Sequence, residues 1–431
     1  MAGWSAGMDL LAELDARGLL HGSTDREALA QRLATGPIGL YIGFDPTADS
    51  LHVGHLVGQL FLRRFQLAGH RPFPLAGGFT GMVGDPSGRS DERNLLDPET
   101  LRHNVARIEH QLRRLLDFEP GPLQATLVNN ADWTESITVL DFLRDAGKYA
   151  TINQMLAKDS VRSRLEAGDG MSFTEFSYSL LQANDYRHLY EQHGVELQAG
   201  GSDQWGNIVA GVDLIRRRLG AAVHGLTHPL ITDPSGAKFG KSVGGAVWLD
   251  PARTSPYEFW QFWIQTDDEM VAMYLRMLSL RQLSDVVGLI TEHEAAPERR
   301  GAQRALADEM TALVHGADGA AHAGQAADVL FGDDPRHASV TALEFVAAEV
   351  PSSGRPASAL ADVAELLAVT GLAASKSEGR RLLGQGSIRA NGQVIAGDDG
   401  LAAVPLLHDR YLLLRRGRRR HHLVEVFRER G

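Results

Sequence analysis

The sequence has no cysteine among its 431 residues. This absence excludes disulfides, thiolate nucleophiles and zinc sites built on cysteine, and it fits a reducing compartment. Apolar runs long enough to cross a membrane are also lacking, and the first residues show neither the basic start nor the apolar core of a signal peptide. We therefore expect a cytoplasmic protein with no membrane partner.

Positive charge is scarce overall: 43 Lys and Arg stand against 54 Asp and Glu, a formal net charge of -11. This balance argues against a protein that coats nucleic acid with its whole surface. The exception is the basic tail from 410 to 430, where eight arginines face two glutamates. Such a tail is either a solvated charge run or a local module that binds RNA.

The length exceeds one ordinary core, so two or three domains are expected. Strand and helix patterns alternate over 1–250, which predicts an α/β domain with a doubly wound parallel sheet and ligands beyond the strand carboxyl ends. Helical patterns fill 251–350. Proline, serine and glycine at 351–358 predict a linker. Residues 359–431 predict a small α+β domain with a hairpin at Asn391-Gly392.

The first βα unit places two histidines at a helix start. An apolar strand (38–44) leads through a turn to an amphipathic helix (53–68), with Ser50 as the predicted N-cap. His52 and His55 lie three residues apart in the first turn of this helix. Backbone N–H groups and the positive end of the helix dipole suit this place to anions.

One predicted helix, 173–191, aligns polar side chains. Tyr178, Gln182 and Asp185 fall at i, i+4 and i+7 and share one face. Polar groups on an otherwise apolar face form either a satisfied structural network or a ligand contact. The strand and glycine-rich turn at 195–207 lead into another helix and predict a second loop of close approach.

A loop at 236–247 carries Lys238, Lys241 and Ser242 between glycines. It does not have the spacing of a phosphate-binding P-loop, because Ser235 stands where the first glycine of that motif is required. What it offers is a glycine-hinged segment with two ammonium groups and one hydroxyl, which suits a polyphosphate.

Together these segments resemble bacterial tyrosyl-tRNA synthetases over nearly the whole chain. His52-Val-Gly-His55 and Lys238-Phe-Gly-Lys-Ser242 look like the two signature sequences of class I aminoacyl-tRNA synthetases. The stretches that begin YIGFDPTADSLH at Tyr41, GDPSG at Gly84 and GGSDQWGN at Gly200 are similar to patterns of the tyrosyl enzymes in particular. Residues 375–395 look like an S4-type RNA-binding fold.

The resemblance implies a Rossmann-like catalytic domain, a helical domain and an S4-like domain. It also implies the reaction of a tyrosine–tRNA ligase, in which L-tyrosine and ATP form tyrosyl-adenylate and pyrophosphate. The tyrosyl group then passes to the 3′-terminal adenosine of tRNA(Tyr). ATP would arrive as a substrate with Mg²⁺, no tightly bound cofactor and no resident metal site are implied, and the expected assembly is a homodimer.

The resemblance also implies residue roles. Catalysis and phosphate binding fall on Thr47, His52, His55, Arg89, Arg93, Lys238, Lys241 and Ser242. Arg89 stands where the family often has lysine, so the charge is kept but a planar fork replaces a point charge. Tyrosine binding falls on Tyr41 and Asp185 at the phenol, on Asp85, Tyr178 and Gln182 at the ammonium group, and on Gln204. ATP binding falls on Gly43, Asp45, Gly54, Asp203 and Lys241, and RNA binding on Lys376, Arg380, Arg381, Arg389, Arg415 and Arg418.

Three alternatives are weighed against this interpretation. A tryptophanyl-tRNA synthetase shares the fold, but its indole offers one donor and no acceptor, whereas Tyr41 and Asp185 suit a group that does both. Another adenylyltransferase of the same superfamily would not need the S4-like segment. A non-enzymatic RNA-binding protein would not need the two phosphate-binding segments.

Overall fold

The computed structural model describes residues 9–85, 96–166, 171–232, 241–242, 245–332, 334–397, 400–401, 403–417 and 420–428, with only the backbone at 159, 160, 163, 241 and 242. Internal contacts divide the chain into two compact units. Unit 1 comprises Met1–Thr254 and Thr266–Leu306, and unit 2 comprises Ser255–Gln265 and Ala307–Gly431. The helical segment expected at 251–350 is therefore shared between the units.

The helices are α1 (Leu10–Ala16), α2 (Arg26–Ala34), α3 (Val53–Leu67), α4 (Pro98–Leu115), α5 (Ala131–Thr134), α6 (Val139–Asp145), α7 (Ile152–Leu156), α8 (Asp159–Glu166), α9 (Phe173–His193), α10 (Trp205–Leu219), α11 (Pro256–Ile264), α12 (Asp268–Leu278), α13 (Leu283–Ala295), α14 (Gly301–Phe331), α15 (Val340–Glu349), α16 (Val363–Val369) and α17 (Lys376–Gly384). The long helix α14 is interrupted at Gly316, whose φ of 87° and ψ of 162° lie outside helical values.

The strands are β1 (Gly22–Ser23), β2 (Gly39–Phe44), β3 (Arg71–Ala76), β4 (Val128–Asn129), β5 (Val195–Gly201), β6 (His224–His228), β7 (Lys241–Ser242), β8 (Gly245–Ala246), β9 (Ser352–Pro356), β10 (Ile388–Ala390), β11 (Gln393–Ile395), β12 (Tyr411–Arg416) and β13 (Arg420–Phe427). Unit 1 is built on a sheet of order β1-β6-β5-β2-β3-β4. The pairs from β6 to β4 are parallel and β1 is antiparallel to β6.

This strand order contains one reversal of direction. From β2 the chain builds outward to β3 and β4, then returns to pair β5 on the other edge of β2 and continues to β6. In open parallel sheets, ligands bind at the carboxyl ends of the strands on either side of such a reversal. The carboxyl ends of β2 and β5, at Phe44 and Gly201, therefore mark the place for a site. The predicted doubly wound α/β fold is confirmed.

Helix α3 begins where β2 has ended, and its cap differs from the prediction. The prediction that Ser50 caps this helix is wrong, because the N-cap is His52, whose side chain accepts from the N–H of Gly54. Ser50 lies two residues before this N-cap, and its hydroxyl donates to Leu51 O (2.7 Å) and accepts from Gln111 Nε2 (3.0 Å). The turn before the helix is thus held by α4, and the first helical turn is held by the histidines.

Unit 2 ends in a five-stranded sheet of order β11-β10-β12-β13-β9. Helices α16 and α17 share an apolar core with the inner face of this sheet. The hairpin predicted at Asn391-Gly392 joins β10 to β11, with φ of 46° and 82° at the two turn residues. The prediction of a linker at 351–358 is wrong, because Ser352–Pro356 form β9 in parallel with β13. An edge strand tolerates proline, since only one of its sides needs hydrogen bonds.

Candidate active site

The buried ionisable side chains of unit 1 include Tyr41 on β2 and Asp185 on α9. The Tyr41 hydroxyl finds no hydrogen-bond partner among the residues that the structure describes. The Asp185 carboxylate accepts from Trp133 Nε1 (2.8 Å) and Asn130 Nδ2 (3.0 Å). Burial raises the pKa of Asp185 to about 7, although both of these hydrogen bonds lower it. Burial also raises the pKa of Tyr41, and the charge of Asp185 adds to that rise.

A chain of hydrogen bonds joins Asp185 to the end of β2. Asn130 Nδ2 also donates to Thr80 Oγ1 (3.0 Å), and Thr80 Oγ1 donates to Asp45 Oδ1 (2.9 Å). The Tyr178 hydroxyl donates to Asp45 Oδ2 (2.9 Å), and burial and the Asp45 charge raise the pKa of Tyr178. Asp45, Tyr178 and Asp185 therefore belong to one network, which includes two of the three polar side chains predicted to share a face of the helix at 173–191.

A second network surrounds Asp85. Its Oδ2 accepts from Gln204 Nε2 (2.6 Å), its Oδ1 lies 3.5 Å from Asn207 Nδ2, and Asn207 Nδ2 lies 3.2 Å from Gln204 Oε1. The Lys158 Nζ is buried nearby with no partner in the described part of the chain. Burial lowers the pKa of Lys158 to about 8, against the charge of Asp85, which raises it. Two amides and an ammonium group thus surround one buried carboxylate.

The two histidines of α3 are oriented by the backbone that they cap. The N–H of Gly54 donates to His52 Nδ1 (3.1 Å), and the N–H of His52 donates to His55 Nδ1 (3.2 Å). The imidazole rings lie 4.0 Å apart between centroids. A neutral imidazole that accepts at Nδ1 carries its proton on Nε2. Both rings are therefore set as Nε2–H donors at a helix N-terminus.

The other predicted site residues are placed unequally. Gly43 is exposed near the carboxyl end of β2, and Thr47 is exposed in the turn before α3. Asp203 follows β5, and Gln182 is half-buried on α9 one turn from Tyr178. Lys238, Arg89 and Arg93 lie outside the described residues. For Lys241 and Ser242 only the backbone is described, and it pairs with Ala246 and Gly245 in the hairpin β7–β8.

In unit 2 the predicted RNA-binding residues have different surroundings. Arg380 and Arg381 are exposed on α17, while Arg389 donates to Gly392 O (3.0 Å). Arg415 donates to Gly332 O (2.9 Å), just beyond α14, so one end of its guanidinium is engaged within the unit. Lys376 forms an ion pair with Asp362. Arg418 lies outside the described residues.

Sequence reasoning missed several of these polar groups. Asn130, Trp133 and Thr80 lie beside short elements, β4, α5 and a 3-10 turn, whose few residues leave no periodic signal. Asn207 lies within the GGSDQWGN stretch and could have been selected from it. In unit 2, Arg416 and Arg420 line an open depression together with Arg381, and the arginine-rich composition of the tail was the available signal.

Comparison with known proteins gives the class. Residues 33–332 match the family of class I tRNA synthetases for tryptophan and tyrosine (W and Y). A truncated mitochondrial tyrosyl-tRNA synthetase from Aspergillus nidulans has a similar structure, with a TM-score of 0.67 and 34% identity over 73% of this chain and 92% of that one. Tryptophanyl-tRNA synthetase from Plasmodium falciparum, at 14% identity and a TM-score of 0.53, shows the shared fold alone. The chain belongs to the class I aminoacyl-tRNA synthetases.

The rest of the chain identifies the branch of this class. Residues 343–424 match the C-terminal domain of tyrosine–tRNA ligases of the SYY type. Tyrosine–tRNA ligases from Opitutus terrae (49% identity, 97% of this chain and 100% of the relative) and Anaeromyxobacter dehalogenans (50%, 97% and 99%) match nearly end to end. The chain is an enzyme of the tyrosine–tRNA ligase family. No helix within the described residues has the length and apolar content to span a bilayer.

Proposed function

We propose that the chain activates L-tyrosine with ATP and then transfers the tyrosyl group to the 3′-terminal adenosine of tRNA(Tyr). In the first step a tyrosine carboxylate oxygen bonds to the α-phosphorus of ATP, and the bond from that phosphorus to the bridging oxygen breaks, so that pyrophosphate leaves. In the second step an adenosine hydroxyl attacks the tyrosyl carbonyl and AMP leaves. A carboxylate is already a nucleophile at neutral pH, so the enzyme must mainly position it and stabilise the leaving charge.

One observation carries the choice of tyrosine: the Tyr41 hydroxyl is buried with no partner among the described residues, and it lies within the electrostatic influence of the buried Asp185 carboxylate. A substrate phenol can donate to Asp185 and accept from Tyr41, which satisfies both. Phenylalanine would strand these buried groups, and a site built around a hydroxyl rejects such an analogue strongly; tyrosyl-tRNA synthetases are themselves the usual illustration. Tryptophan has one donor and no acceptor to offer.

The ammonium and carboxyl groups of tyrosine are assigned to the network around Asp85. Asp85, Tyr178 and Gln182 suit the ammonium group, because two carboxylate oxygens, a phenol oxygen and an amide oxygen can all accept. Gln204 suits the carboxyl group through its amide donors. Its amide already donates to Asp85 at 2.6 Å, so the charge of this aspartate and the position of Gln204 are coupled.

Phosphate binding is assigned to the start of α3 and to the glycine-hinged segment. The Nε2–H groups of His52 and His55, with the helix N-terminus beneath them, suit the charge that develops on pyrophosphate. Thr47, Arg89, Arg93, Lys238, Lys241 and Ser242 are proposed to share this task. Gly43 and Gly54 would let the adenosine approach the backbone, with Asp45 and Asp203 near the ribose. Mg²⁺ would enter with ATP as part of the substrate, held mostly by phosphate oxygens and water.

Unit 2 is proposed to hold the tRNA and a face of unit 1 to hold a second copy of the chain. The proposed RNA contacts of the S4-like segment remain Lys376, Arg380, Arg381, Arg389, Arg415 and Arg418. Large apolar side chains of α6 to α9 are exposed: Val139, Leu140, Leu143, Ile152, Leu156, Leu165 and Phe173. Exposed large apolar side chains on four consecutive helices are more than scattered single residues would explain and are typical of a protein–protein interface, which supports a homodimer. The proposed location is the cytoplasm.

The test is exchange of labelled pyrophosphate into ATP, measured with tyrosine, tryptophan and phenylalanine in turn. We expect exchange that depends on tyrosine and is weaker by orders of magnitude with the other two. Exchange that depends on tryptophan, or on no amino acid, would refute the proposal. The RNA surface is tested separately by the charging of tRNA(Tyr) with the full chain. The variant is Arg381→Ala, and its control is Arg336→Ala, because Arg336 forms an exposed ion pair with Asp334.

A further inference from the structure

The segment that follows the hairpin β7–β8 is paired with the start of α3. The N–H of Val53 donates to Val247 O (3.0 Å), and the N–H of Leu249 donates to Leu51 O (2.8 Å). His52 and Trp248 form the antiparallel bridge between these two hydrogen bonds. The backbone that carries Lys241 and Ser242 is therefore tied, six residues further on, to the residue that caps α3.

The side chain of Trp248 continues this connection. Its ring meets the imidazole of His52 edge-on, with 6.0 Å between centroids and 73° between planes. The Cζ of Arg253 lies 3.4 Å from the centroid of the indole, which is a cation–π contact. Arg253 Nη1 donates to Asp49 Oδ1 (2.5 Å) in the turn before α3. The contacts thus form a closed circuit that begins at Asp49 and returns to the same turn at His52.

This circuit is not explained by core packing. Trp248 is half-buried, and the side chains of Arg253 and Asp49 are 34% and 42% exposed. An exposed ion pair by itself contributes little to stability. What the circuit does constrain is the His52 ring, which has His55 against it at 4.0 Å and its Nδ1 occupied by the N–H of Gly54.

We propose that Trp248, held by Arg253 and Asp49, is a positioning residue that sets the ring of His52 and couples it to the segment carrying Lys241 and Ser242. The inference rests on the phosphate role of His52 proposed above. Trp248 acts through the histidine and is not itself assigned a contact with substrate. Its loss should therefore reduce the rate of adenylate formation and leave the affinity for tyrosine nearly unchanged.

Trp248→Leu and Trp248→Phe, assayed by pyrophosphate exchange, form the first test. We expect Trp248→Leu to lower kcat by roughly 10- to 100-fold, since a misplacement of about 1 Å at a reacting group costs on the order of 10²-fold. KM for tyrosine should change by less than about threefold, because the tyrosine groups lie in other networks. Trp248→Phe keeps an aromatic edge and should restore most of the rate. A leucine variant with normal kcat, or a phenylalanine variant as slow as the leucine variant, would overturn the proposal.

A double-mutant cycle with His52→Ala separates positioning from a general structural effect. If Trp248 acts through His52, Trp248→Leu should cost less than about threefold in the His52→Ala background, because residues that act as a unit are non-additive. Equal losses in both backgrounds would overturn the inference and leave the phosphate role of His52 standing. A His52→Ala variant with normal kcat would overturn both.

Milder variants guard against misfolding. Arg253→Lys keeps the charge but loses the planar group that stacks on indole, so we expect a partial loss of kcat with an unchanged melting temperature. The matched control is Arg26→Lys, because Arg26 also pairs with an exposed aspartate, Asp15 at 2.8 Å, but contacts no aromatic ring in the described structure. Equal kinetics for the two lysine variants would count against the stack.

Discussion

Replacement of Asp185 by asparagine should stabilise the unliganded protein above neutral pH while it destroys tyrosine selection. Asp185 is only 3% exposed, and its pKa is about 7 instead of the ordinary 3.8, first because of burial and also because of the charge of Asp45. A carboxylate that must ionise in such a place costs the folded state free energy, which a neutral amide of the same shape avoids.

The sign follows from proton binding. Between pH of roughly 4 and 7, Asp185 is protonated in the folded protein and ionised in the unfolded chain. The free energy of unfolding therefore falls as pH rises through this window, and above it this contribution no longer changes. A difference of about three pH units corresponds to about 4 kcal/mol at 1.36 kcal/mol per unit. The amide of asparagine would place an N–H group against the N–H donor of either Trp133 or Asn130. The lost hydrogen bond lowers the free energy of unfolding by about 1–3 kcal/mol. The net gain at pH 8 is therefore about 1–3 kcal/mol.

The measurement is thermal unfolding of the variant and the parent at pH 5, 6, 7 and 8, without substrates. We expect the variant's advantage to appear between pH 6 and 8 and to vanish or reverse at pH 5, where the parent carboxyl is protonated. Asp132→Asn is the control, because Asp132 is exposed and close in sequence to Trp133. A stability difference that does not change with pH would refute the assignment of this proton to Asp185. In pyrophosphate exchange the variant should show a much higher KM for tyrosine.

Three further substitutions test neighbouring groups. Tyr41→Phe should raise KM for tyrosine by roughly 2- to 10-fold, one net hydrogen bond, without lowering the melting temperature, because the hydroxyl has no partner among the described residues. Trp133→Phe removes a donor that lowers the pKa of Asp185, so the acid limb of kcat/KM for tyrosine should move up by about one pH unit. Gly77→Ala should cost about 1–3 kcal/mol and raise KM for ATP, since its Cβ would lie 2.3 Å from Asp45 Oδ1.

Each of these three substitutions has an outcome that would contradict it, and Gly77→Ala also has a matched control. For Gly77→Ala the control is Gly288→Ala within α13, where an added Cβ meets nothing within 4 Å and a gain of about 0.5–1 kcal/mol is expected. Equal effects at the two glycines would show that the close approach to Asp45 is not maintained. An unshifted acid limb in Trp133→Phe, or a melting temperature that falls in Tyr41→Phe, would contradict the contacts described around Asp185.

How far the sequence predicts this molecule depends on how regular each element is. The prediction is confirmed for the positions of two elements, the βα unit around His52 and His55 and the helix that carries Tyr178 and Asp185. Both are long and periodic, which is why their sequences indicate them. The hairpin at Asn391-Gly392 is confirmed for a different reason, because its turn demands positive φ at both residues.

The predictions that fail share a physical cause. In each, the hydrogen-bond partner of a residue comes from a segment that is distant in sequence. Ser50 is a residue type that often caps helices, but its hydroxyl accepts a hydrogen bond from Gln111 on α4 instead. Residues 351–358 have the composition of a linker, but β13 offers them an open edge. Asn130 and Trp133 become the donors to Asp185 only once the sheet brings β4 beside β3. No local pattern records any of these pairings.

The start of α3 explains why histidine, and not a better cap, stands at position 52. Serine or aspartate would accept from the first N–H groups of the helix at least as well, but neither side chain has a separate N–H group that could donate to a ligand while the cap is formed. The imidazole of His52 accepts the N–H of Gly54 at Nδ1, which places its own proton on Nε2. One hydrogen bond therefore satisfies a backbone N–H at the helix start and also orients Nε2–H as a donor. It follows that His52→Asn should keep the helix cap and the melting temperature while it lowers kcat for pyrophosphate exchange. Loss of stability in step with kcat would instead show that capping is all that this histidine does.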